Sequence, residues 1–289
     1  MALSRSQTAK PLPEGNVSST VFSPIRACIF DMDGLLINSE DIITLCTNRL
    51  LEKYGRPAFT RSIRVQLMGI PDSTNGDIFH NWAKLPIPRE QFAQELREQM
   101  QAQFQSCEPL PGANKLLSDL SHARNSSGDK IKLALASSSK SHSFRLKTSK
   151  PETKQLLDFF GPKQRILGDD ARLRKGRGKP APDIYLIALQ SLNSANNAED
   201  TIKPNECLVF EDSVTGVEAG RRAGMRVIWV PHQDVAAEYG SKQEQVLAGR
   251  MGMNALGDDW QLGEIDDGWA ECISSLEEFN PRKYGLEIV

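Results

Sequence analysis

Short apolar runs recur along the chain, and most are stopped by a polar residue able to do chemistry. The run 25–30 ends at Asp31, 131–136 at Ser137, 165–167 at Gly168-Asp169-Asp170, and 206–210 at Glu211 and Asp212. A fifth run, 226–230, stops at Pro231. Runs this short and largely apolar predict strands of a parallel sheet buried on both faces. Between them lie helical patterns. Residues 113–123 carry Leu116, Leu117 and Leu120. Residues 182–192 carry Ile184, Leu186, Ile187, Leu189 and Leu192, with Pro182 near the first turn. Residues 214–223 offer Ala219, Gly220 and Ala223 for close packing, with Gly224 as a left-handed stop. Alternating strand and helix predict an open α/β sheet, whose ligands bind beyond the carboxyl ends of the strands. The polar stops fall at those ends.

Residues 40–107 break the alternation. They predict helices at 40–54, about 74–84 and 89–105, with Ser39 as the first N-cap and Glu40 and Asp41 at the positive end of its dipole. Flanks rich in Pro and Gly, such as 107–112, suit hinges. The expected organisation is a tail at 1–24, an α/β core formed by 25–39 and 108–289, and a small helical cap at 40–107. Within the core, 233–270 carry no assignable motif.

Composition narrows the picture. The chain has 289 residues, 39% hydrophobic and 25% charged, with a net charge of -2, so no global field favours nucleic acid or an anionic membrane. No apolar run is long enough to span a bilayer. Five scattered cysteines without metal-site spacing suggest reduced thiols. A monomer in the cytoplasm is expected, with the nucleus as the other open compartment. Residues 1–22 mix Ser, Thr, Pro and Gly, which suits a disordered tail; Glu14, Pro11 and Pro13 argue against an amphipathic presequence.

Asp31-Met32-Asp33-Gly34 directly follows a strand pattern. Alone it is weak, because Asp-x-Asp-Gly is also a common turn. Asp31, Asp33, Glu211 and Asp212 at neighbouring strand ends would gather several carboxylates in one cleft. Two such charges about 4 Å apart repel by about 4 kcal/mol at an effective dielectric of ~20. A divalent cation relieves this, and oxygen-only ligands suit Mg2+. Lys179 adds a compensating charge, and the Ser137 hydroxyl can donate to a phosphate oxygen.

Together these motifs resemble the haloacid dehalogenase (HAD) superfamily. All four of its motifs occur in order: Asp31-Met32-Asp33-Gly34, Ser137, Lys179 within Gly178-Lys179-Pro180-Ala181-Pro182-Asp183, and Phe210-Glu211-Asp212 with Ser213. The position of the helical block resembles the C1-cap subclass. The resemblance implies a Rossmann-like parallel-sheet core with an inserted cap. It implies Asp31 as the nucleophile that becomes an aspartyl phosphate and Asp33 as the acid and base. Ser137, Ser138 and Lys179 would hold the phosphoryl group. Asp31, Asp33 (through its carbonyl), Asp212 and Glu211 would surround Mg2+. The segments 133–139, 143–148, 167–170 and 276–281, with Met68-Gly69, are similar to the pseudouridine-5′-phosphatase-like branch. That likeness makes Met68 and Gly69 candidate substrate contacts in the cap. The expected partner is a small phosphorylated metabolite, such as pseudouridine 5′-phosphate, another nucleotide monophosphate, a sugar phosphate or flavin mononucleotide. No polymer or membrane is expected.

Plainer readings cover the remaining residues. Arg172, Arg174, Lys175 and Arg177 read as a solvated loop. Trp82 reads as helix packing, Asp169 and Asp170 as loop-shaping residues, and Asp183 as a helix cap. The four histidines lack ligand spacing. A dehalogenase has no need of Asp33 as an acid, and a binding protein has no need of the full set. A phosphomutase or a sugar-phosphate phosphatase shares the core and stays open. No Gly-x-Gly-x-x-Gly follows the first strand, which disfavours a dinucleotide site.

Overall fold

The computed structural model describes residues 22–68, 74, 76–194, 200–252 and 263–288. Eight strands run in chain order: β1 (Ala27–Phe30), β2 (Arg124–Asn125), β3 (Lys132–Ala136), β4 (Arg165–Ile166), β5 (Cys207–Glu211), β6 (Arg226–Trp229), β7 (Ala270–Cys272) and β8 (Leu286–Glu287). Six of them form one sheet in the order β4-β3-β1-β5-β6-β7, and every pairing in it is parallel. β2 and β8 pair antiparallel in a separate ribbon. The strand pattern therefore holds, with an added edge strand, β7, that the sequence did not announce.

Side chains alternate between two cores, as a pleated strand requires. Cys28, Phe30, Leu133, Leu135, Leu208, Phe210 and Ile228 point into one apolar cluster. Ala27, Ile29, Ala134, Ala136, Cys207, Val209, Val227 and Trp229 point into the other. This is why the runs read as continuously apolar: both faces are covered. The Phe30 and Phe210 rings stack across β1 and β5 with centroids 4.4 Å apart.

Between β1 and β2 the chain forms α1 (Ser39–Lys53), α2 (Arg61–Leu67), α3 (Asp77–Ala83), α4 (Arg89–Gln103) and α5 (Ala113–His122). α3 is shorter than the expected 74–84. Phe79 lies against Phe92 at 5.2 Å, and Trp82 stacks on Phe59 at 5.8 Å, so Trp82 packs the helical block. α5 turns Leu116, Leu117 and Leu120 into the first cluster. After β3 come α6 (Ser141–Lys147) and α7 (Pro151–Leu157); after β4, α8 (Asp183–Asn193); and after β5, α9 (Val214–Arg222). α9 is stopped as expected: Gly224 adopts φ +71°. α10 (Gln233–Tyr239) and α11 (Gln243–Leu247) then precede β7.

Two capping expectations are corrected. α1 is preceded by Asn38 at the N-cap position without a side-chain cap; Ser39 is already helical, and its hydroxyl donates to Asp33 instead, at 2.6 Å. α8 follows Pro182, and the Asp183 carboxylate accepts from Arg177, at 2.8 Å. In both cases a partner six residues earlier in the chain takes the oxygen that a cap would have used. All five cysteines are free, and four of them are buried. Among the described residues no helix is long and apolar enough to cross a membrane.

Candidate active site

β1 and β5 lie side by side, so their carboxyl ends deliver Asp31, Glu211 and Asp212 to one point. The pairing continues one step past β1, since Asp31 N donates to Phe210 O at 3.0 Å. All three carboxylates are buried, and each has an oxygen within 4.8 Å of the others'. Gly34 turns the chain at φ +80° directly beside them. A Cβ there would run into Asp212 Oδ2, so this position demands glycine both for its backbone angle and for space.

Two lysines partition the carboxylates. Lys179 Nζ bridges Asp31 Oδ1 and Glu211 Oε1, the second at 2.6 Å. Glu211 also accepts from Tyr185 OH at 2.5 Å and from Ser213 Oγ at 3.0 Å. Ser213 in turn caps α9 by accepting from Gly216 N at 3.1 Å. Asp33 faces a different set. Its Oδ1 accepts from Ser39 Oγ at 2.6 Å and from Lys147 Nζ at 2.6 Å. Its Oδ2 accepts from Ser137 Oγ at 3.0 Å and from Ser139 Oγ at 2.8 Å. The Asp33 side chain is thus absorbed by four donors and lies outside the cluster of three carboxylates.

Protonation follows from these partners. Burial pushes the Asp31 carboxyl up to about 7, with Lys179 opposing the rise and Glu211 and Asp33 adding to it. Burial also raises Asp212 well above the ordinary carboxylate range, helped by Glu211 and Asp31. For Asp33 burial acts upward too, but Lys147 and the serine hydroxyls outweigh it and hold the carboxyl low. Burial and the neighbouring Asp33 push Glu40 up to about 7. Lys179, although buried, is held above the usual lysine range by Asp31 and Glu211.

The donor set fits a hard divalent cation. Three carboxylates converge, and Asp212 Oδ2 is buried without a hydrogen-bond partner, a costly state unless a further group compensates it. Oxygen-only ligation suits magnesium.

A cavity of about 200 Å³ opens over these groups; it is lined by Asp31, Asp33, Ser138, Ser139, Lys147, Lys179 and Asp212 from the sheet side. Its far wall comes from the helical block: Ile43, Thr44, Phe59, Arg64, Leu67 and Met68. The expected site residues Asp31, Asp33, Ser138, Lys179, Asp212 and Met68 therefore meet at one cavity. Ser137 and Glu211 lie behind it, one bonded to Asp33 and the other to Lys179. Gly69 lies outside the described residues. The basic loop does not join the site: Arg172 pairs with Asp170 at 2.7 Å, and Arg177 with Asp183. Asp169 shapes the loop by accepting from Ser141 N at 2.9 Å.

Lys147, Ser139, Ser39 and Tyr185 belong to the site, and motif reading passed over them. Lys147 and Ser139 fall in segments already notable by resemblance, 143–148 and 133–139. Nothing local marks Ser39 or Tyr185.

Known proteins place this arrangement in a family. The profile described as haloacid dehalogenase-like hydrolase matches residues 28–230. The chain belongs to that family, and within it to the phosphatases. A Saccharomyces cerevisiae protein named a probable pseudouridine-5′-phosphatase is 38% identical over 262 residues, covering 91% of this chain and 98% of that one. A Drosophila melanogaster protein of the same name is 34% identical over 270 residues, covering 93% and 98%. A HAD family hydrolase from Deinococcus radiodurans, solved with bound phosphate and sodium, superposes with a TM-score of 0.56 at 26% identity, covering 80% of this chain and 98% of that one.

Proposed function

We propose that this protein is a magnesium-dependent phosphomonoesterase. Its substrate would be a small phosphorylated metabolite of the nucleotide monophosphate kind, with pseudouridine 5′-phosphate the first candidate. The observation that carries the reading is the division of labour between the two aspartates. Asp31 sits on the cluster of carboxylates under Lys179, while Asp33 is turned to a separate set of donors on the same cavity. The relatives named for pseudouridine-5′-phosphatase supply the substrate candidate.

In this reading an Asp31 carboxylate oxygen attacks phosphorus, and the bond from phosphorus to the leaving oxygen breaks. Asp33, held ionised at rest by Lys147 and the hydroxyls, must first take up a proton, which it then delivers to that oxygen. Water then attacks the aspartyl phosphate, Asp33 takes its proton, and the bond from phosphorus to the Asp31 oxygen breaks to release inorganic phosphate. Lys179 keeps its charge throughout and neutralises the phosphoryl oxygens together with the Ser138 backbone and side chain. Asp31, Glu211 and Asp212, with the Asp33 carbonyl, would hold magnesium, which when bound supplies positive charge to the phosphoryl group. The helices of 40–107 act as the cap, with Met68 near the leaving group, and exclude water while the ester is attacked.

The test is phosphate release from pseudouridine 5′-phosphate and a panel of nucleotide and sugar phosphates, by the parent and by Asp31→Asn. The expected result is metal-dependent release by the parent and none by the variant, because an amide is no nucleophile here. Near-parental turnover by Asp31→Asn would remove Asp31 from the chemistry.

A further inference from the structure

Lys147 is a buried lysine that none of the roles above requires. Its side chain is 4% exposed. It ends α6, and its Nζ donates to Asp33 Oδ1 at 2.6 Å and to Ser139 Oγ at 2.9 Å. The ammonium also lies 4.5 Å from the centroid of Phe104, a residue of the 3-10 turn Phe104–Ser106 that closes the helical block. Lys147 thus touches Asp33 on one side and the turn that closes the helical block on the other, and it borders the cavity.

Burying a lysine is costly, and packing alone would be served as well by methionine. What the charge achieves here is geometric. The three serines offer rotatable hydroxyls, each of which tolerates several carboxylate positions. Lys147 is the one charged donor among the four that Asp33 receives, and charge-assisted bonds are the stronger and shorter kind. Its own stem is fixed by burial, and its Nζ is triangulated by Asp33, Ser139 and the Phe104 face. The pair therefore fixes where the Asp33 carboxyl stands relative to the cavity floor at Asp31.

We propose that Lys147 is a positioning residue for Asp33, holding its carboxyl at the place where the leaving oxygen of the substrate departs. This rests on Asp33 being the proton donor and acceptor of the reaction set out above. It carries a consequence that a purely structural lysine would not share. Asp33 is needed twice, once to protonate the leaving oxygen and once to activate water against the aspartyl phosphate. An alkoxide needs the proton to leave, whereas a nitrophenolate does not. The ratio kcat/KM reads only the steps up to departure of the leaving group, while kcat also includes the attack of water.

The experiment compares parent, Lys147→Met and Lys147→Arg on two esters with magnesium present. One is 4-nitrophenyl phosphate; the other is whichever of pseudouridine 5′-phosphate, ribose 5-phosphate and glycerol 3-phosphate the parent cleaves best. Positioned acid–base catalysis contributes about 10²–10⁴-fold, so for Lys147→Met kcat/KM on the alkyl ester should fall by at least ~100-fold. On the aryl ester kcat/KM should fall only a few-fold, while kcat falls much further, so that kcat and KM drop together. Lys147→Arg, which keeps the charge but not the point contact, should lie between the parent and Lys147→Met on the alkyl ester. Melting temperatures are read alongside. If Lys147→Met is unfolded at the assay temperature, the same comparison of esters is made with Lys147→Arg alone. Equal fractional losses of kcat/KM on both esters in a folded variant overturn the positioning role and leave the phosphatase reading standing. A parent that releases phosphate from neither ester, or an Asp31→Asn variant that still does, overturns the reading itself.

Discussion

Magnesium should stabilise this protein far more at pH 8 than at pH 5.5. The cause is Asp31. Its folded carboxyl is raised to about 7 from an ordinary 3.8, so between those values the folded chain holds a proton that the unfolded chain has released. Stability without metal therefore falls as pH rises across that window, by on the order of 4 kcal/mol for a shift of about three units. Asp33, held low, acts only below the ordinary carboxylate range and leaves this window untouched. A cation that binds the ionised cluster reverses the loss. At magnesium about 100 times its dissociation constant at pH 8 the gain is about 2.7 kcal/mol. At pH 5.5, well below the raised Asp31 and Asp212, the cation must displace protons to bind, so the same magnesium gains much less. For a chain of this size the gain at pH 8 corresponds to about 4–5 °C in melting temperature, and the gain at pH 5.5 to a small fraction of that. The assay is thermal unfolding with magnesium or chelator at both pH values. Asp212→Asn should melt no lower than the parent in chelator, because it removes a buried carboxylate with an unpartnered oxygen, and it should lose most of the response to magnesium. Equal stabilisation at both pH values, or none at pH 8, would refute the coupling of Asp31 ionisation to the cation.

Two further outcomes concern the helical block. Met68 is buried on the cavity wall, so Met68→Trp should lower kcat/KM for a nucleotide monophosphate at least ~10-fold more than for 4-nitrophenyl phosphate, one to two buried contacts being worth about 1–3 kcal/mol. Equal losses, measured as initial rates on both esters, would free Met68 of any part in selection. Asp234 of α10 receives Arg64 at 2.7 Å and Arg61 at 3.4 Å from α2, joining the helical block to the far end of the core. Asp234→Asn should loosen that junction and raise KM about 3–10-fold with little change in melting temperature, as expected of ion pairs worth about 1 kcal/mol. An unchanged KM in steady-state kinetics would show that the pair does not govern closure.

The parts of the fold legible in the sequence were those that local physics decides. β1, β3 and β5 are buried on both faces, so their apolar character is continuous, and it stops at or near the strand ends, at Asp31, Ser137 and Glu211, the last being the final residue of β5. β7 was not legible. It is three half-buried residues, Ala270-Glu271-Cys272, that form a strand because β6 offers an open edge. Ser39 and Asp183 were misread as caps for the opposite reason. Both are the first residues of their helices, one past the cap position, and Asp33 claims the Ser39 hydroxyl while Arg177 finds the Asp183 carboxylate. Lys147 lies 114 residues from Asp33, and no spacing rule links them. The cavity wall was equally hidden, because which faces of α1 and α2 overlook Asp31 depends on how those helices pack.

The charges of the site explain why these residues occur together. Asp31, Glu211 and Asp212 form one group of three carboxylates with Lys179, while Lys147 pairs with Asp33 apart from them and Glu40 is a further acid on the cavity. Ionised throughout, the first group is two positive charges short, which is the charge of one divalent cation. Burial raises Asp31 and Asp212, so without the cation these carboxyls hold their protons to a higher pH than an ordinary carboxylate does. In the proposed mechanism Asp31 is the nucleophile, and a protonated carboxyl is a poor one, so relieving the shortfall would also activate it. Asp33 is exempt because Lys147 balances it separately. Held low by Lys147 and the hydroxyls, it stays ionised and, in the proposed mechanism, is ready to accept a proton from water. Had one lysine served both aspartates, ionising Asp31 would have pulled on Asp33 as well. Two lysines, approaching from α6 and from the loop before α8, keep the two functions apart.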